Sequence, residues 1–555
     1  MNHVRFFSWI ALGFALFPNA QAEPTIPIEE ARVRFVSFAR TIDTSVISAL
    51  PVQHNGRIKP LDTLAREALI FVTGKYGMWG LSPIQIYLGL MLDESHTMIP
   101  LIEVRDPQLR ADLKLSPGRR HYSVLELQTT ELEKLAQPLA KKEEQNSKLL
   151  SPREKKIIET FQQLMLVRAI SGGGHLFQAI DFSFGKHGTD PKASAGLDLV
   201  KAAGETYFKA VNSQDPAAAR AAARDWIAVA NNYPLPEIIA PYRATVPLEV
   251  MYNRVQPFFI AALAYILLAL LILIPQTRNF LGTKRVVGLL AVPMLIHIVG
   301  FTLRVYITRF APVTNMYGTM LWVAFGVALF STILYGLYHQ AIVVGFLVAT
   351  SGLVLLLTHN MPLILSPDMD PIVAVLRSNF WLSTHVLTIT ISYAAFTVAM
   401  VLGNVGLVAN IMGIRDSDFY RRYAHFTYRM VQLGVFLISA GIILGGVWAD
   451  YSWGRFWGWD PKETWALIAD LGFLMILHAR FVGWVKDFGT LAWSTAAYLL
   501  VIMAWYGVNF VLAAGLHSYG FSSGGAAAVG IFVSVQLALL GTSALMYRAR
   551  KTKAA

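Results

Sequence analysis

The sequence predicts an all-α polytopic membrane protein, with about nine transmembrane helices after a mostly helical extracytoplasmic N-terminal domain. Three observations predict this class. Hydrophobic residues make up 55% and charged residues only 15% of the 555-residue chain, a balance typical of an integral membrane protein with a sizeable polar portion. Apolar runs long enough to span a bilayer follow one another from about residue 256 onward. A polar stretch of domain length precedes them.

Residues 1–22 are predicted to be a signal peptide. Arg5 supplies the positive charge, residues 6–17 form the apolar part, and Ala-Gln-Ala at 20–22 is an A-x-A cleavage pattern. An uncleaved anchor is the alternative, because the aromatic residues make the apolar part strongly hydrophobic. In either case, the segment that follows is expected outside the cytoplasm.

Residues 23–250 are expected to form the extracytoplasmic domain. Ala, Leu, Lys, Glu and Gln recur there at helical spacing, which predicts a mostly helical domain. Within it, P-V-Q-H-N-G-R-I-K-P-L-D-T-L at 51–64 predicts a turn, followed by a helix that begins near Leu64 with Asp62 or Thr63 as its cap. The domain shows no catalytic spacing of residues.

Apolar runs predict the membrane domain over residues 256–548. Its helices are expected near 257–275, 286–303, 317–337, 341–358, 384–410, 429–448, 464–483, 491–514 and 527–546. An exported N-terminal domain makes the first helix run from outside to inside. The predicted inner loops and C-terminal tail then hold thirteen Lys and Arg and the predicted outer loops five, as the positive-inside rule expects.

The composition excludes two kinds of chemistry. The net charge of +12 does not indicate nucleic-acid binding, because much of the excess lies in short loops beside apolar segments, where it sets orientation in the lipid bilayer. Because the chain has no Cys, it has no disulfide, no thiolate metal site and no thiol nucleophile of its own. Any thiol chemistry must use the thiols of a partner.

Tryptophans are concentrated between the predicted sixth and seventh helices. Residues 448–465, W-A-D-Y-S-W-G-R-F-W-G-W-D-P-K-E-T-W, are predicted to form a short loop at the outer membrane surface. Five of the thirteen tryptophans lie there: Trp448, Trp453, Trp457, Trp459 and Trp465. An indole is a rigid apolar plate, suited to covering a large planar ligand. The alternative is an aromatic belt that anchors helix ends at the lipid interface.

Two histidines flank this segment in sequence and share its predicted side of the membrane. His385 begins the fifth predicted helix, and His517 ends the eighth. Neutral imidazole nitrogens are good axial ligands for iron, so an aromatic floor with one imidazole on either side fits a six-coordinate haem. The alternative is a pair of polar helix-end residues that hydrogen-bond to loop carbonyls.

Two further histidines are predicted deeper in the membrane. At 1.5 Å per residue, His478 lies roughly 21 Å below the outer surface and His297 roughly 16 Å above the inner one. Ionisable groups at such depths usually face a cavity or a partner. In one interpretation the two side chains bracket a second ligand, and in the other each bonds to a neighbouring helix.

Charged residues near the end of the tryptophan segment have both structural and binding interpretations. D-P-K-E at 460–463 is a good helix start, with Asp460 as N-cap and Glu463 three residues later. Arg455 and Lys462 are the cations of the segment. Haem carries two propionates, which such cations can pair with.

A family resemblance rests on these motifs. W-G-R-F-W-G-W-D-P-K-E-T-W at 453–465 resembles the tryptophan-rich WWD signature of the haem-handling proteins of cytochrome c maturation. Residues 286–546 are similar to the CcsA (ResC) family of the System II pathway. Supporting stretches are R-F-A-P-V-T-N-M-Y at 309–317, the segment at 376–396, and V-N-F-V-L-A-A-G-L-H-S-Y-G at 508–520. The G-R-I-K-P-L-D-T stretch is similar to the segment that precedes CcsA in fused CcsB-CcsA proteins.

The resemblance implies roles for these residues. His385 and His517 look like the two external ligands of the iron of haem b, the substrate, and His478 like an intramembrane ligand. A ResB/CcsB-like membrane protein is the implied partner and the source of the second intramembrane ligand, with His297 as the internal alternative. The family commonly has Glu where this chain has Gly318, which puts any carboxylate role there in doubt.

The activity implied is that of a cytochrome c haem lyase subunit, active with its partner. It supports thioether attachment of haem to C-x-x-C-H of apocytochrome c, and no acid or base residue is identified. The implied location is the bacterial inner membrane, with the N-terminal domain and the WWD loop in the periplasm. The alternatives are a haem transporter or chaperone without ligation activity, and a secondary transporter for an unrelated solute.

Overall fold

The computed structural model of the protein describes residues 27–146, 150–182, 191–237, 239–372, 378–512 and 525–554. The predicted signal peptide, residues 1–22, lies outside the described residues. The chain divides between Arg254 and Val255 into two compact units.

Helices form most of the first unit, and two short hairpins lie between them. The helices are α1 (Ile28–Thr41), α2 (Leu61–Thr73), α3 (Pro83–Leu92), α4 (Pro107–Asp112), α5 (Val124–Gln128), α6 (Leu132–Asn146), α7 (Pro152–Ser171), α8 (Gly174–Ala179), α9 (Pro191–Asn212), α10 (Pro216–Asn232), α11 (Ala240–Arg243) and α12 (Val246–Val255), with 3-10 turns at Ile47–Ala49 and Glu94–Met98. The strands are β1 (Pro51–His54), β2 (Arg57–Pro60), β3 (Ile102–Glu103) and β4 (His121–Tyr122), in the antiparallel pairs β1–β2 and β3–β4.

The first hairpin is more regular than the turn predicted for residues 51–64. β1 pairs with β2 from Pro51 opposite Pro60 to His54 opposite Arg57. The two residues between the strands, Asn55 and Gly56, have φ angles of 50° and 83°. Asn-Gly with two positive φ angles is the preferred sequence for a two-residue hairpin turn.

The sequence suggests that Asp62 or Thr63 caps α2. Neither does, because both side chains belong to a buried polar network. α2 begins at Leu61, three residues before the predicted start near Leu64, so both side chains lie inside its first turn. Thr63 Oγ1 donates to Glu249 at 2.7 Å, and Asn253 Nδ2 donates to Asp62 at 2.9 Å. Arg57 donates hydrogen bonds of 2.7 and 2.8 Å to the same Glu249 carboxylate, and both side chains of that ion pair are fully buried. The network ties β2 and α2 to α12.

His175 is a core histidine of this unit. Its Nδ1 and the hydroxyl of Tyr87 share a hydrogen bond of 2.7 Å. Burial, with smaller contributions from nearby His54 and Lys59, lowers the pKa of His175 to about 3. The ring is therefore neutral at physiological pH and belongs to the packing of the unit.

The described residues of the second unit form helices joined by irregular segments. Its helices are α13 (Pro257–Leu273), α14 (Pro275–Leu281), α15 (Thr283–Gly288), α16 (Ala291–Thr308), α17 (Met316–Tyr338), α18 (Ala341–Asn360), α19 (Asn379–Trp381), α20 (Leu387–Ile411), α21 (Ser417–Trp453), α22 (Pro461–Phe481), α23 (Asp487–Ile502) and α24 (Ala526–Ala554), with π-helical turns at Leu382–Val386 and Met503–Leu512.

Among the described residues, nine helical spans are long and apolar enough to cross a membrane, which confirms the predicted all-α polytopic fold. The spans are Val246–Leu273, Ala291–Thr308, Met316–Tyr338, Ala341–Asn360, Asn379–Ile411, Ser417–Trp453, Pro461–Phe481, Asp487–Leu512 and Ala526–Arg550. The predicted helices match these spans in order.

The largest difference in bounds is at α21, which begins at Ser417 rather than near 429. The Asp416 side chain accepts a hydrogen bond from the backbone N–H of Asp418, which caps the helix. The first turns that follow are polar, so a hydropathy window does not detect them. α21 has 37 residues and is about 55 Å long at 1.5 Å per residue, well beyond a hydrocarbon core of about 30 Å.

α20 lies at the centre of this unit, because it packs against α17, α21, α23 and α24. Phe396 of α20 stacks on Phe473 of α22, with ring centroids 3.8 Å apart and 9° between the planes. Gly434 of α21 allows Phe396 to approach closely, since a Cβ there would lie 2.4 Å from the Phe396 ring. The contact between α20 and α21 positions His385 at one end of the bundle.

Candidate functional site

His385 lies in the π-helical turn Leu382–Val386, in the second turn of the span Asn379–Ile411. Its Nδ1 is 2.8 Å from the backbone oxygen of Gly441. A carbonyl oxygen only accepts hydrogen bonds, so Nδ1 carries the proton and donates it. The lone pair of the neutral ring is therefore on Nε2, the nitrogen that can coordinate a metal.

Two glycines of α21 make room for this histidine. A Cβ at Gly445 would lie 2.6 Å from Cε1 of the His385 ring, and a Cβ at Gly441 would lie 2.9 Å from Cβ of Ile389. Contacts that short are not made by real Cβ atoms, so the close approach of the ring to α21 needs glycine at residue 445. The face of α21 that carries these two glycines thus accommodates the His385 side chain.

A tryptophan packs against the same imidazole, and a second tryptophan lies parallel to the first. The Trp448 ring lies edge-on to it, with centroids 5.7 Å apart and 65° between the planes. Trp381, one turn before His385, is parallel to Trp448, with 10° between planes and centroids 6.5 Å apart. Trp381 is a site residue that the sequence prediction did not include, although its place one helical turn before His385 was the signal.

The segment predicted as a loop over 448–465 is mostly helical, which is a correction. α21 continues through Trp448 and ends at Trp453, and the next residue, Gly454, caps it with a left-handed φ of 67°. α22 begins at Pro461, so Trp465 is also helical, and only residues 454–460 lie between the two helices. Indole rings pack well on a helix surface, so the density of tryptophans does not show where a helix ends. The ends are marked instead by Gly454 after α21 and by the N-cap Asp460 before α22.

The predicted capping role of Asp460 is confirmed. Its Oδ1 accepts from the backbone N–H of Lys462 at 2.9 Å and of Glu463 at 3.1 Å. In return, Glu463 Oε2 accepts from the backbone N–H of Asp460 at 3.3 Å and of Gly458 at 2.7 Å. This reciprocal capping box fixes where the connecting segment ends and α22 begins.

Trp457 and Trp459 form an edge-to-face pair in the connecting segment, with ring centroids 5.7 Å apart. Trp459 is 69% exposed and has a positive φ of 57°, which is unusual for a large side chain. The indole N–H of Trp457 is buried and has no hydrogen-bond partner among the described residues. An apolar plate thus projects outward while a neighbouring donor stays unsatisfied.

Arg455 is a cation of the connecting segment that contacts a tryptophan ring. Its guanidinium lies over the Trp453 ring, 5.8 Å from the centroid. Its Nη1 is 3.5 Å from Glu463 Oε1, and in the part of the chain that the structure describes both atoms are buried without a hydrogen bond. The segment therefore holds two buried, unsatisfied donors, Arg455 Nη1 and Trp457 Nε1, which suit an anionic oxygen.

His517 lies outside the described residues. The last described residues before it, Met503–Leu512, form the second π-helical turn. The distance between His385 and His517 is therefore not defined by the structure, and their pairing stays a prediction. π-helical turns occur frequently at functional sites, and the structure places one at His385 and one shortly before His517.

The structure does not bring His297 and His478 together. His297 is completely buried and is enclosed by the rings of Phe258, Tyr265, Phe301 and Phe325, at centroid distances of 5.3, 6.0, 5.0 and 5.5 Å. These rings come from α13, α16 and α17.

His478 has the opposite environment. It is exposed on α22, and its Nδ1 donates to the Leu474 carbonyl at 2.9 Å, which leaves the lone pair on Nε2. Three residues separate it from the end of the helix at Phe481, about 4.5 Å along the axis. The side chain of His478 is therefore exposed on the periphery of the second unit rather than buried in its core.

The structure explains why residue 318 is glycine. A Cβ there would lie 2.8 Å from the carbonyl oxygen of Pro312. The backbone N–H of Gly318 donates to Asn315 Oδ1 at 2.8 Å, which caps α17. The position has no space for a carboxylate side chain in this fold.

No group of three or more His, Asp or Glu side chains in the described ranges is arranged to hold a metal ion. A haem iron, in contrast, takes four ligands from the porphyrin and needs only axial nitrogens from the protein. Among the described residues, the ring of His385 carries its proton on Nδ1 and its lone pair on Nε2, the arrangement that an axial nitrogen requires.

Comparisons with known proteins identify the family of the chain. The family model described as "Cytochrome C assembly protein" matches residues 313–517. Protein NrfI of Wolinella succinogenes is 28% identical over 495 residues, which cover 84% of this chain and 53% of that protein. The chain therefore spans about half the length of that relative.

Shorter relatives match the membrane part of the chain. The cytochrome c biogenesis protein CcsA of Chlamydomonas reinhardtii is 33% identical over 223 residues, 38% of this chain and 61% of that protein. CcsA of Prochlorococcus marinus strain MIT 9301 is 32% identical over 244 residues, 38% of this chain and 77% of that protein. The chain thus belongs to the CcsA family of cytochrome c biogenesis proteins, with an N-terminal extension before the family region.

Proposed function

We propose that this protein binds haem on its outer face and supports the covalent attachment of haem to apocytochrome c. Membership of the cytochrome c biogenesis family supplies the pathway. The observation that carries the proposal is the environment of His385: its Nδ1–H is held by a backbone carbonyl, its ring sits against glycine, and tryptophan lines it.

The hydrogen bond to Gly441 suits His385 to be an axial ligand. A carbonyl acceptor on Nδ1 fixes the tautomer, sets the ring orientation and raises the basicity of Nε2. Histidines that ligate metals almost always have such a partner. The second axial ligand in this proposal is His517, from the far end of the family region.

Aromatic and cationic groups suit the other parts of the haem. Trp381 and Trp448 are parallel plates beside His385, and Trp453, Trp457, Trp459 and Trp465 follow along the chain. Arg455 Nη1 and Trp457 Nε1 are unsatisfied donors, so each can bond to a propionate oxygen.

The reaction is an addition that needs little from the protein beyond position. The S–H of each cysteine in C-x-x-C-H adds across a vinyl C=C of haem; the C–S bond forms and the proton goes to the other vinyl carbon, so no electrons are lost or gained. The histidine of the same motif replaces one axial ligand. The protein contributes by holding the reactants in the geometry for reaction.

A second membrane chain completes the proposal. The proposed partners are a ResB/CcsB-like protein and apocytochrome c. The proposed location of the spans is the bacterial inner membrane, and that of the tryptophan segment and the first unit is the periplasm. His478 is exposed on a span, where an ionisable side chain is expected to meet a partner rather than lipid. The aromatic cage of His297 makes it the weaker candidate for an intramembrane ligand.

Substitution of the external histidines tests the proposal. His385→Ala and His517→Ala should each change the absorption spectrum of haem bound to the purified protein and lower the yield of cytochrome c, and added imidazole should restore the spectrum. His425→Ala is the matched control, because it removes an exposed histidine at the other end of α21. Unchanged spectra and yields in both external variants would rule out these ligands.

Ligation activity needs a separate measurement. The purified chain, with and without a ResB/CcsB-like partner, is given haem and a C-x-x-C-H peptide, and covalent product is measured by mass spectrometry. Product formation supports the lyase. Bound haem without product, even with the partner, supports instead a haem transporter or chaperone without ligation activity.

A further inference from the structure

An acidic side chain lies in the middle of one membrane span. Asp470 is nine residues after Pro461 and eleven before Phe481 on α22. At 1.5 Å per residue, it is about 13 Å from one end of the helix and about 16 Å from the other. Both distances place it near the centre of a hydrocarbon core of about 30 Å.

Asp470 faces protein rather than lipid. It is only 8% exposed, and its neighbours on the same face of α22, Ala466, Ala469 and Phe473, are buried too. Snorkelling to water is thus not available to this short side chain.

The two carboxyl oxygens have different environments. Ser439 of α21 donates its hydroxyl proton to Asp470 Oδ2 at 2.8 Å. Asp470 Oδ1 is buried and has no hydrogen-bond partner among the residues that the structure describes. A hydroxyl donor on one oxygen and an unpartnered second oxygen suit a carboxylic acid, whose proton sits on the oxygen without the donor.

Along α22 and α21, within the described residues, no cation lies at the level of Asp470 on the helix axis. On α22 the nearest cationic residues are Lys462, eight residues before, and His478, eight residues after, about 12 Å along the axis. On α21 the nearest charged residues to Ser439 are Arg429 and Asp450, about 15 Å or more away along its axis.

Three further elements pack against α22 and add no charge at this level: α23, the turn Met503–Leu512, and α20, whose Phe396 stacks on Phe473. α20 carries no charged residue, and its one ionisable group is the hydroxyl of Tyr393. α23 carries Asp487, at its far end, as its only charged residue, and the turn Met503–Leu512 carries none. Their ionisable groups besides Asp487 are the hydroxyls of Tyr498 and Tyr506. Burying an uncompensated carboxylate in such surroundings is costly, and a proton removes the charge.

We propose that Asp470 and Ser439 form a proton-binding site within the membrane unit, in which Asp470 is a neutral carboxylic acid at physiological pH. Binding is simple protonation: a proton adds to Oδ1 of the carboxylate, and Ser439 continues to donate to Oδ2.

Infrared absorption of the purified full-length protein tests the proposal. At pH 7 the Asp470→Asn difference spectrum should lose one C=O band of a protonated carboxylic acid, and that band should shift when the protein is exchanged into heavy water. Ser439→Ala should keep the band but move it to higher frequency, because the hydrogen bond to the carbonyl oxygen is lost.

Asp418→Asn is the matched control. Asp418 is exposed and pairs with Arg421, so its loss should remove carboxylate absorption and leave the acid band intact. The proposal is overturned if Asp470→Asn removes carboxylate absorption or leaves the acid region unchanged. If that variant does not fold, the Ser439→Ala spectrum decides: an unshifted acid region overturns the site.

Discussion

His385 depends on the absence of side chains opposite it. The ring is pressed against Gly445, and its Nδ1 bonds to the carbonyl of Gly441, one turn away on α21. A helix offers an exposed carbonyl to an imidazole only where the neighbouring side chains are small. The position of the His385 ring therefore depends on α21 as much as on the histidine itself.

Gly445→Ala should displace the His385 ring while leaving the fold intact. The added Cβ would lie 2.6 Å from Cε1, and relief of such overpacking costs about 1–3 kcal/mol. If His385 binds haem, affinity should fall by roughly tenfold, measured by haem titration and absorption spectra.

The control for this change is Gly336→Ala on α17. A Cβ there meets no atom within 4 Å, so it tests the same substitution in a membrane helix without a contact. Equal haem affinity in the two variants would show that the close approach at Gly445 is unimportant.

The buried pair Arg57–Glu249 should matter for the first unit. Arg57→Ala leaves the Glu249 carboxylate fully buried without its cation, which typically costs about 3–5 kcal/mol. Arg32→Ala, which breaks an exposed pair with Glu29, should cost less than about 1 kcal/mol. Thermal unfolding of the purified protein compares them, and similar melting temperatures for the two variants would contradict the assignment.

At the scale of elements, α21 and α22 define the candidate site by where they end. α21 ends at Trp453 and α22 begins at Pro461, so the connection between two long helices is only seven residues, 454–460. A short connection between two capped helices restricts the conformations of Arg455, Trp457 and Trp459.

Asp460 has a capping role that can be separated from any role of its charge. Asp460→Ala removes the cap and should destabilise the start of α22 by about 1 kcal/mol, whereas Asp460→Asn keeps a good N-cap. Hydrogen exchange at residues 461–464 should rise in the alanine variant alone. If cytochrome c yield falls equally in both variants while exchange rises only in alanine, the carboxylate charge has a separate role.

At the scale of the whole molecule, the predicted orientation rests on the distribution of Lys and Arg. The absence of Cys allows a direct test, since a single introduced thiol is the only one present. Ser452 and Ser417 are exposed residues at opposite ends of α21, which makes them a matched pair.

In intact cells, a membrane-impermeant maleimide should label Ser452→Cys from the periplasm and should not label Ser417→Cys. After lysis both should react, because both side chains are exposed. The opposite pattern would reverse the topology and place the tryptophan segment in the cytoplasm.

The sequence by itself determined the membrane class, the order of the spans, the start of α22 at its Asp-Pro-Lys-Glu cap, and the family. Each of these depends on residues that are close together in the chain. Apolar length is read within one helix, and a capping box within four residues. The polar first turns of α21 were missed for the same reason, since hydropathy reports only the part of a helix that is apolar.

Only the tertiary structure decided which groups meet. His385 and the carbonyl of Gly441 are fifty-six positions apart, and Asp470 meets a serine thirty-one positions away. The tertiary structure also showed that His297 is enclosed by aromatic rings, whereas His478 is exposed on α22. The physical reason is that contacts between helices depend on which faces pack and how closely. Local periodicity shows that a face is apolar, but it does not show which helix that face contacts.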